Sequence, residues 1–114
     1  MKTVTKASKI TREELSQMAL NMFGGMVKGV VDLEKGIMAV DAEMHADEEA
    51  ALLEAGSRQE ALWGINFYPE QKGEAFLEFD SMINVRPRQG NRSRNVESEE
   101  VREKIREVIK KLVV

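Results

Sequence analysis

The hydrophobic period of this chain changes repeatedly along its length, and those changes leave little freedom of fold class. Leu15, Met18, Ala19 and Met22 recur at the spacing of one helical face, whereas from Met26 to Met44 and from Trp63 to Tyr68 apolar and polar residues alternate. The first pattern is that of an amphipathic helix and the second that of a half-buried strand. Helical spacing returns in Val101, Ile105, Val108, Ile109 and Leu112, with Glu100–Lys104 and Glu107–Lys111 pairs on the wet side. A chain that mixes both periods must bury sheet faces against helix stripes.

Local signals place the boundaries. Thr3, Val4 and Thr5 suit a short strand within 2–7. Thr11 and Glu14 have capping-box spacing and Ile10 and Leu15 occupy staple positions, so a helix begins there and runs to the Gly24-Gly25 stop. A two-residue turn at Lys35-Gly36 pairs Val31 with Val40 and Leu33 with Met38. The other face of that hairpin, with Lys28 opposite Glu43 and Asp32 opposite Ala39, is expected to be wet. Asp47-Glu48-Glu49 opens a second helix that ends at Gly56, and Ser57–Glu60 has the spacing of one more helical turn.

A second hairpin is expected from Trp63, Ile65 and Phe67 and, after a turn at Gly73, a strand whose one face carries Leu77, Phe79, Ser81, Ile83 and Val85. Its opposite face carries Glu78, Asp80, Met82, Asn84 and Arg86. Ser98 caps the last helix. The expectation is a single domain over 1–114 of α+β class, in the order β-α-β-β-α-β-β-α. Its small antiparallel or mixed sheet has two hairpins plus a short N-terminal strand, and three helices pack mainly on one face.

A chain of 114 residues can bury one core without staples, and the absence of cysteine excludes disulfides, thiolate metal sites and a cysteine nucleophile. No apolar run is long enough for a membrane span, and the start lacks a secretory pattern, so a cytoplasmic protein with no membrane partner is expected. The 17 basic and 20 acidic residues give a formal net charge of −3, which opposes a broad nucleic-acid track and requires any anion site to be local. The methionines read as adaptable core filling.

Several strings stand together here: Glu43-Met44-His45-Ala46-Asp47-Glu48-Glu49, Leu62-Trp63-Gly64-Ile65-Asn66 through Tyr68-Pro69, Glu78-Phe79-Asp80-Ser81-Met82-Ile83-Asn84, and Arg86-Pro87 through Asn91-Arg92-Ser93. In these the chain resembles a small prokaryotic domain family of unknown function. The resemblance covers nearly the whole chain and implies that the strings belong together, but it carries over no catalytic residue.

Three clusters are candidates for chemistry. Arg86, Arg88, Arg92 and Arg94, with Asn91, Ser93 and the Gly90 turn, have the forks, amides and free N–H groups of an anion-binding loop. The same arginines would equally serve as a solvated surface paired with the protein's own carboxylates. His45, the only histidine, lies among carboxylates and with Glu43 and Asp47 forms a candidate metal set or acid–base site, although no established ligand spacing is present. Asp80, Asn84 and Arg86 at alternate strand positions, joined by Asn66 and Tyr68, would form a polar sheet face supporting a ligand. Trp63 reads as a core anchor.

These clusters support three functional readings. The first is a binding module in which the arginine loop and the face of Asn66, Asp80 and Asn84 hold a phosphorylated small molecule, a nucleic acid or an acidic protein. The second is a homodimer or other homo-oligomer whose basic loop meets an acidic segment of another copy. The third is a small metal-assisted hydrolase using His45 and nearby carboxylates. No motif names a cofactor, and no nucleophile elbow accompanies the histidine.

Overall fold

A computed structural model describes residues 1–22 and 24–114. The elements are β1 (Lys2–Val4), α1 (Arg12–Leu20), β2 (Val27–Asp32), β3 (Ile37–Val40), α2 (His45–Glu54), β4 (Leu62–Phe67), β5 (Leu77–Glu78) and α3 (Glu99–Leu112). The expected α+β order holds, and the sheet is antiparallel throughout, with strand order β1-β3-β2-β4-β5. Short 3₁₀ turns at Gln59–Ala61, Gly73–Phe76, Met82–Asn84 and Pro87–Gln89 join its later parts.

Local chemistry sets the helix starts. Thr11 Oγ1 accepts from Glu14 N at 3.0 Å while Glu14 Oε1 accepts from Thr11 N at 3.2 Å, the reciprocal capping box. Ser98 Oγ accepts from Val101 N at 3.2 Å. The first helix stops earlier than its apolar spacing implies, at Leu20 with Asn21 as its C-cap, so Met22 lies beyond it.

Helices cover both sheet faces, which corrects the expectation of helices mainly on one. Val27, Val31, Met38, Val40, Trp63, Ile65 and Phe67 are buried in one core with Leu15 and Ala19 of α1 and Ile105, Ile109 and Leu112 of α3. Val30, Ala39 and Leu62, on the alternate positions, are buried with Leu52 of α2. The hairpin face expected to be wet therefore lies under α2. Asp32 on that face is fully buried, and its carboxylate accepts from Ser57 Oγ at 2.5 Å, Glu34 N at 2.8 Å and Lys35 N at 2.9 Å.

Asp32 also explains the register. Its Oδ1 organises a four-residue turn over 33–36, closed by Gly36 N donating to Asp32 O at 2.9 Å, and Gly36 takes φ +66°. Val31 consequently pairs with Met38 rather than Val40. A shift by two keeps every side chain on its expected face, whereas a shift by one would have inverted them.

The second hairpin departs further from expectation. Only Leu77 and Glu78 form β5, paired with Phe67 and Asn66, and the chain then leaves the sheet. Farther along β4, Asn84 takes the place of a strand residue: its Oδ1 accepts from Gly64 N at 2.8 Å and its Nδ2 donates to Gly64 O at 3.0 Å. Ser81 approaches so closely that a Cβ on residue 64 would lie 2.5 Å from Ser81 Cβ, which is why glycine stands there. Asp80, Asn84 and Arg86 thus do not alternate along one strand, since Asn84 is the buried residue of a 3₁₀ turn. Among the described residues no helix is long and apolar enough to cross a membrane.

Candidate functional site

The site begins as a row across three strands. Lys28 of β2 is the direct partner of Asn66 in β4, which is in turn the direct partner of Glu78 in β5. Neighbouring strands stand about 4.8 Å apart, so a cation, an amide and a carboxylate lie side by side on the α2 side of the sheet. The first turn of α2 brings His45 onto this row, with Nε2–H donating to Ile65 O at 2.8 Å. The carbonyl fixes the tautomer: in the neutral ring Nδ1 keeps its lone pair. Together these residues line a cleft of about 370 Å³ that also takes in Tyr68, Asp80 and Arg94, with Met26, Met44 and Met82 at its apolar parts.

Asn66 is the least satisfied group in the cleft. Its Nδ2 donates to Glu78 Oε1 at 2.9 Å and to Asp80 O at 3.0 Å, which fixes the amide orientation. The residue is 3 % exposed and Oδ1 has no hydrogen-bond partner. The His45 ring lies nearby without meeting hydrogen-bond geometry to it. An unsatisfied buried acceptor costs about 1–3 kcal/mol.

Burial holds the His45 imidazole below its ordinary range, and the positive charge of Lys28 acts in the same direction, while the Ile65 carbonyl, the Asn66 side chain and Asp80 oppose them. Tyr68 is held above its usual range by burial and by Glu78, to which its hydroxyl donates at 3.0 Å. Arg94 Nε pairs with Asp80 Oδ1 at 2.7 Å, and Lys28 Nζ donates to Glu43 O at 2.7 Å. The N-cap of α2 is Met44, whose side chain makes no capping hydrogen bond.

The residues of the arginine segment divide between structure and surface. Arg86 spends its fork on backbone carbonyls: Nε donates to Ile83 O at 2.9 Å, Nη1 to Gln59 O at 2.8 Å and Nη2 to Leu62 O. Its guanidinium stacks over the Trp63 ring at 4.7 Å, and burial lowers its pKa. Asn91 is buried and ties the segment together, donating to Asn84 O and Asn95 O at 2.7 Å each and accepting from Glu97 N at 2.9 Å.

Arg92 N, Ser93 N and Ser93 Oγ do form an anion cradle, and the carboxylate of Glu97 sits in it at 2.7, 2.8 and 2.9 Å. The Ser93 hydroxyl and the two amides hold Glu97 below the usual carboxylate range. The side chains of Arg88 and Arg92 are exposed. Of the expected loop residues, Arg94 alone lines the cleft, where it meets Asn66, Asp80 and His45 from the other two clusters.

Glu43 and Asp47 are exposed and do not join His45 in a ligand set; among the described residues no three His, Asp or Glu side chains gather closely enough to hold a metal ion. Trp63 is buried in the core, as expected. Lys28 and Glu78 carry no site signal in the sequence, because their relation to Asn66 exists only once β2, β4 and β5 are paired.

In the sequence Glu48 is one of three acids at a helix start, yet it is fully buried. Its Oε2 accepts from Ala42 N at 3.0 Å and Oε1 has no partner. Burial pushes its carboxyl up to about 9, so it is protonated at neutral pH.

Over residues 4–112 the chain matches the model of a family described as a protein of unknown function, DUF5674, and it belongs to that family. No curated protein and no solved structure matches it.

Proposed function

We propose that this member of the DUF5674 family is a binding module for a small polar ligand that carries an anionic group, held in the cleft over Lys28, Asn66 and Glu78. The observation that supports this reading is the lining of one cleft of about 370 Å³ by the cations Lys28 and Arg94 together with His45 and Asn66. Lys28 and Arg94 supply the positive charge for the ligand's anionic group, and a hydrogen bond to a charged group contributes about 1.5–3 kcal/mol.

In this reading Asn84 and Asn91 hold the segment that carries Arg94 into the cleft, Arg86 is spent on backbone carbonyls, and Glu97 already fills the amide cradle of Arg92 and Ser93. Arg88 and Arg92 remain outside as general positive charge. The test is calorimetry with a panel of phosphate, acetate, phosphosugars, nucleotides and amino acids, on wild type, Lys28→Ala and the double variant Arg88→Ala/Arg92→Ala. A ligand of the cleft loses about tenfold or more in affinity with Lys28→Ala and keeps it in the double variant. Binding abolished by the double variant and untouched by Lys28→Ala overturns the reading.

A further inference from the structure

The connection between β3 and α2 is strained at one end and tied down by two side chains. Among the described residues Asp41 is the one non-glycine at positive φ, +70°, a left-handed conformation that persists only where its surroundings hold it. Next to it Ala42 N donates to Glu48 Oε2 at 3.0 Å, and Lys28 Nζ donates to Glu43 O at 2.7 Å. Glu48 of α2 and Lys28 of β2 are thus the clasps of this connection.

Glu48 can hold its clasp only while uncharged. It is fully buried, Oε1 has no hydrogen-bond partner, and Ala42 N is the one donor to Oε2 among the described residues. A carboxylate so placed lacks the several donors that would replace its water. Burial outweighs the Ala42 amide, Lys28 of β2 and the Met1 amine, which favour the charge, and Asp41 acts with burial. β3 and the 3₁₀ turn at Met82–Asn84, which also pack on α2, carry no titratable group, and on α2 itself the near neighbours are His45, Asp47 and Glu49.

The packing decides how the charge reaches water. Of the α2 residues only Glu48 and Leu52 are buried, and Leu52 lies in a small cluster with Val30, Ala39 and Leu62. α1 and α3 pack in the larger core on the opposite sheet face. A segment with few buried apolar contacts opens at lower cost than the whole fold. We propose that loss of the Glu48 proton to solvent releases the Asp41–Met44 connection and the first turn of α2 as one unit while the main core stays folded. Release frees Ala42 N, relaxes Asp41, and carries Met44 and His45 away from the cleft, breaking the His45 Nε2 bond to Ile65 O. It does not depend on what the cleft binds. Once released, Glu48 titrates as an ordinary carboxyl near 4.5, against about 9 when closed, so between those values the opening equilibrium rises about tenfold per pH unit.

The test is amide hydrogen exchange of the full chain, followed by NMR from about pH 6 to about pH 9 and at low urea concentrations. The protection of Ala42, Glu48 and Glu49, corrected for the intrinsic pH dependence of exchange, is expected to fall by about tenfold per pH unit and to be nearly independent of urea. Amides of β4 are expected to be better protected and to exchange faster as urea rises. In Glu48→Gln, which keeps the shape without the proton, the pH dependence should vanish; Glu48→Met, unbranched and uncharged, gives the same readout if the glutamine variant does not fold. Equal protection and equal urea dependence for the start of α2 and for β4 would show that the opening is global and overturn the proposal. A pH dependence retained in both variants would overturn Glu48 as the trigger.

Discussion

Asn84 completes β4 with its side chain, accepting from Gly64 N at 2.8 Å and donating to Gly64 O at 3.0 Å. One amide satisfies two buried backbone groups and releases the following segment from the sheet. That segment then turns back to supply Arg94 to the cleft, its carbonyl accepting from Asn84 Nδ2 at 3.0 Å. Asn84→Leu leaves both Gly64 groups unpaired and should cost roughly 2–4 kcal/mol. Urea denaturation should show a lower midpoint at unchanged slope, and a shift under 0.5 kcal/mol, the usual scale of about ±0.5 kcal/mol for a surface substitution, would contradict the pairing.

The approach of Ser81 to Gly64 makes a second prediction. Gly64→Ala places a Cβ 2.5 Å from Ser81 Cβ and 2.6 Å from its Oγ, a contact the backbone must relieve by moving. The expected cost is about 1–3 kcal/mol, the usual range for overpacking. Ser81→Gly in the same chain removes both offending atoms, so the two changes together should cost less than their sum. Strict additivity in a double-mutant cycle would show that the contact is not the cause.

Arg86 and its neighbours separate structural from surface arginine. Its fork reaches Leu62 O, Ile83 O and Gln59 O and its plane lies on Trp63, a geometry that a lysine cannot reproduce. Arg86→Lys should therefore lower stability nearly as far as Arg86→Ala, by about 1–3 kcal/mol. Arg88→Ala and Arg92→Ala should each stay within about 0.5 kcal/mol of wild type. Thermal or chemical melts of the four variants check this, and full stability in Arg86→Lys would remove the structural role.

Glu48 makes stability depend on pH. Its carboxyl titrates at about 9 in the folded protein against an ordinary 4.5, because burial disfavours the charge. Between those values the native state holds one proton more than the unfolded chain, so stability falls as pH rises. The contribution is fully present below pH 4.5 and is lost as pH climbs to about 9, at a slope of up to about 1.4 kcal/mol per pH unit. Glu48→Gln keeps the shape and removes the proton. Its advantage over wild type should be small near pH 4.5 and grow towards pH 9; parallel stability profiles would show that Glu48 is not the group responsible.

How much of this was legible in the sequence follows the range of each interaction. The Thr11–Glu14 box and the Ser98 cap are made within one helical turn, and their signals were readable residue by residue. The Val31–Met38 register was not, because Asp32 sets it through a turn whose third partner, Ser57, comes from beyond α2. The alternation of 77–86 looked like a strand, and Asn84 overrode it by pairing with a glycine 20 residues away. Within the arginine segment the residue types were those of an anion cradle, but only the fold shows that Glu97 occupies it and that Arg86 faces carbonyls. Asn66 with Asp80, His45 and Arg94 fall in three different clusters of the sequence; their convergence on one cleft depends on pairings between distant strands.

The central claim is that ligand binding belongs to the cleft over Asn66 and not to the exposed arginines. Amide chemical-shift mapping on ¹⁵N-labelled protein, titrated with inorganic phosphate and separately with acetate, tests it most directly. The account predicts saturable shifts for Lys28, His45, Asn66 with its side-chain NH₂, and Met82, and a resting spectrum for Arg88 and Arg92. Saturable shifts confined to residues 86–94 with the Asn66 side chain unmoved would contradict it.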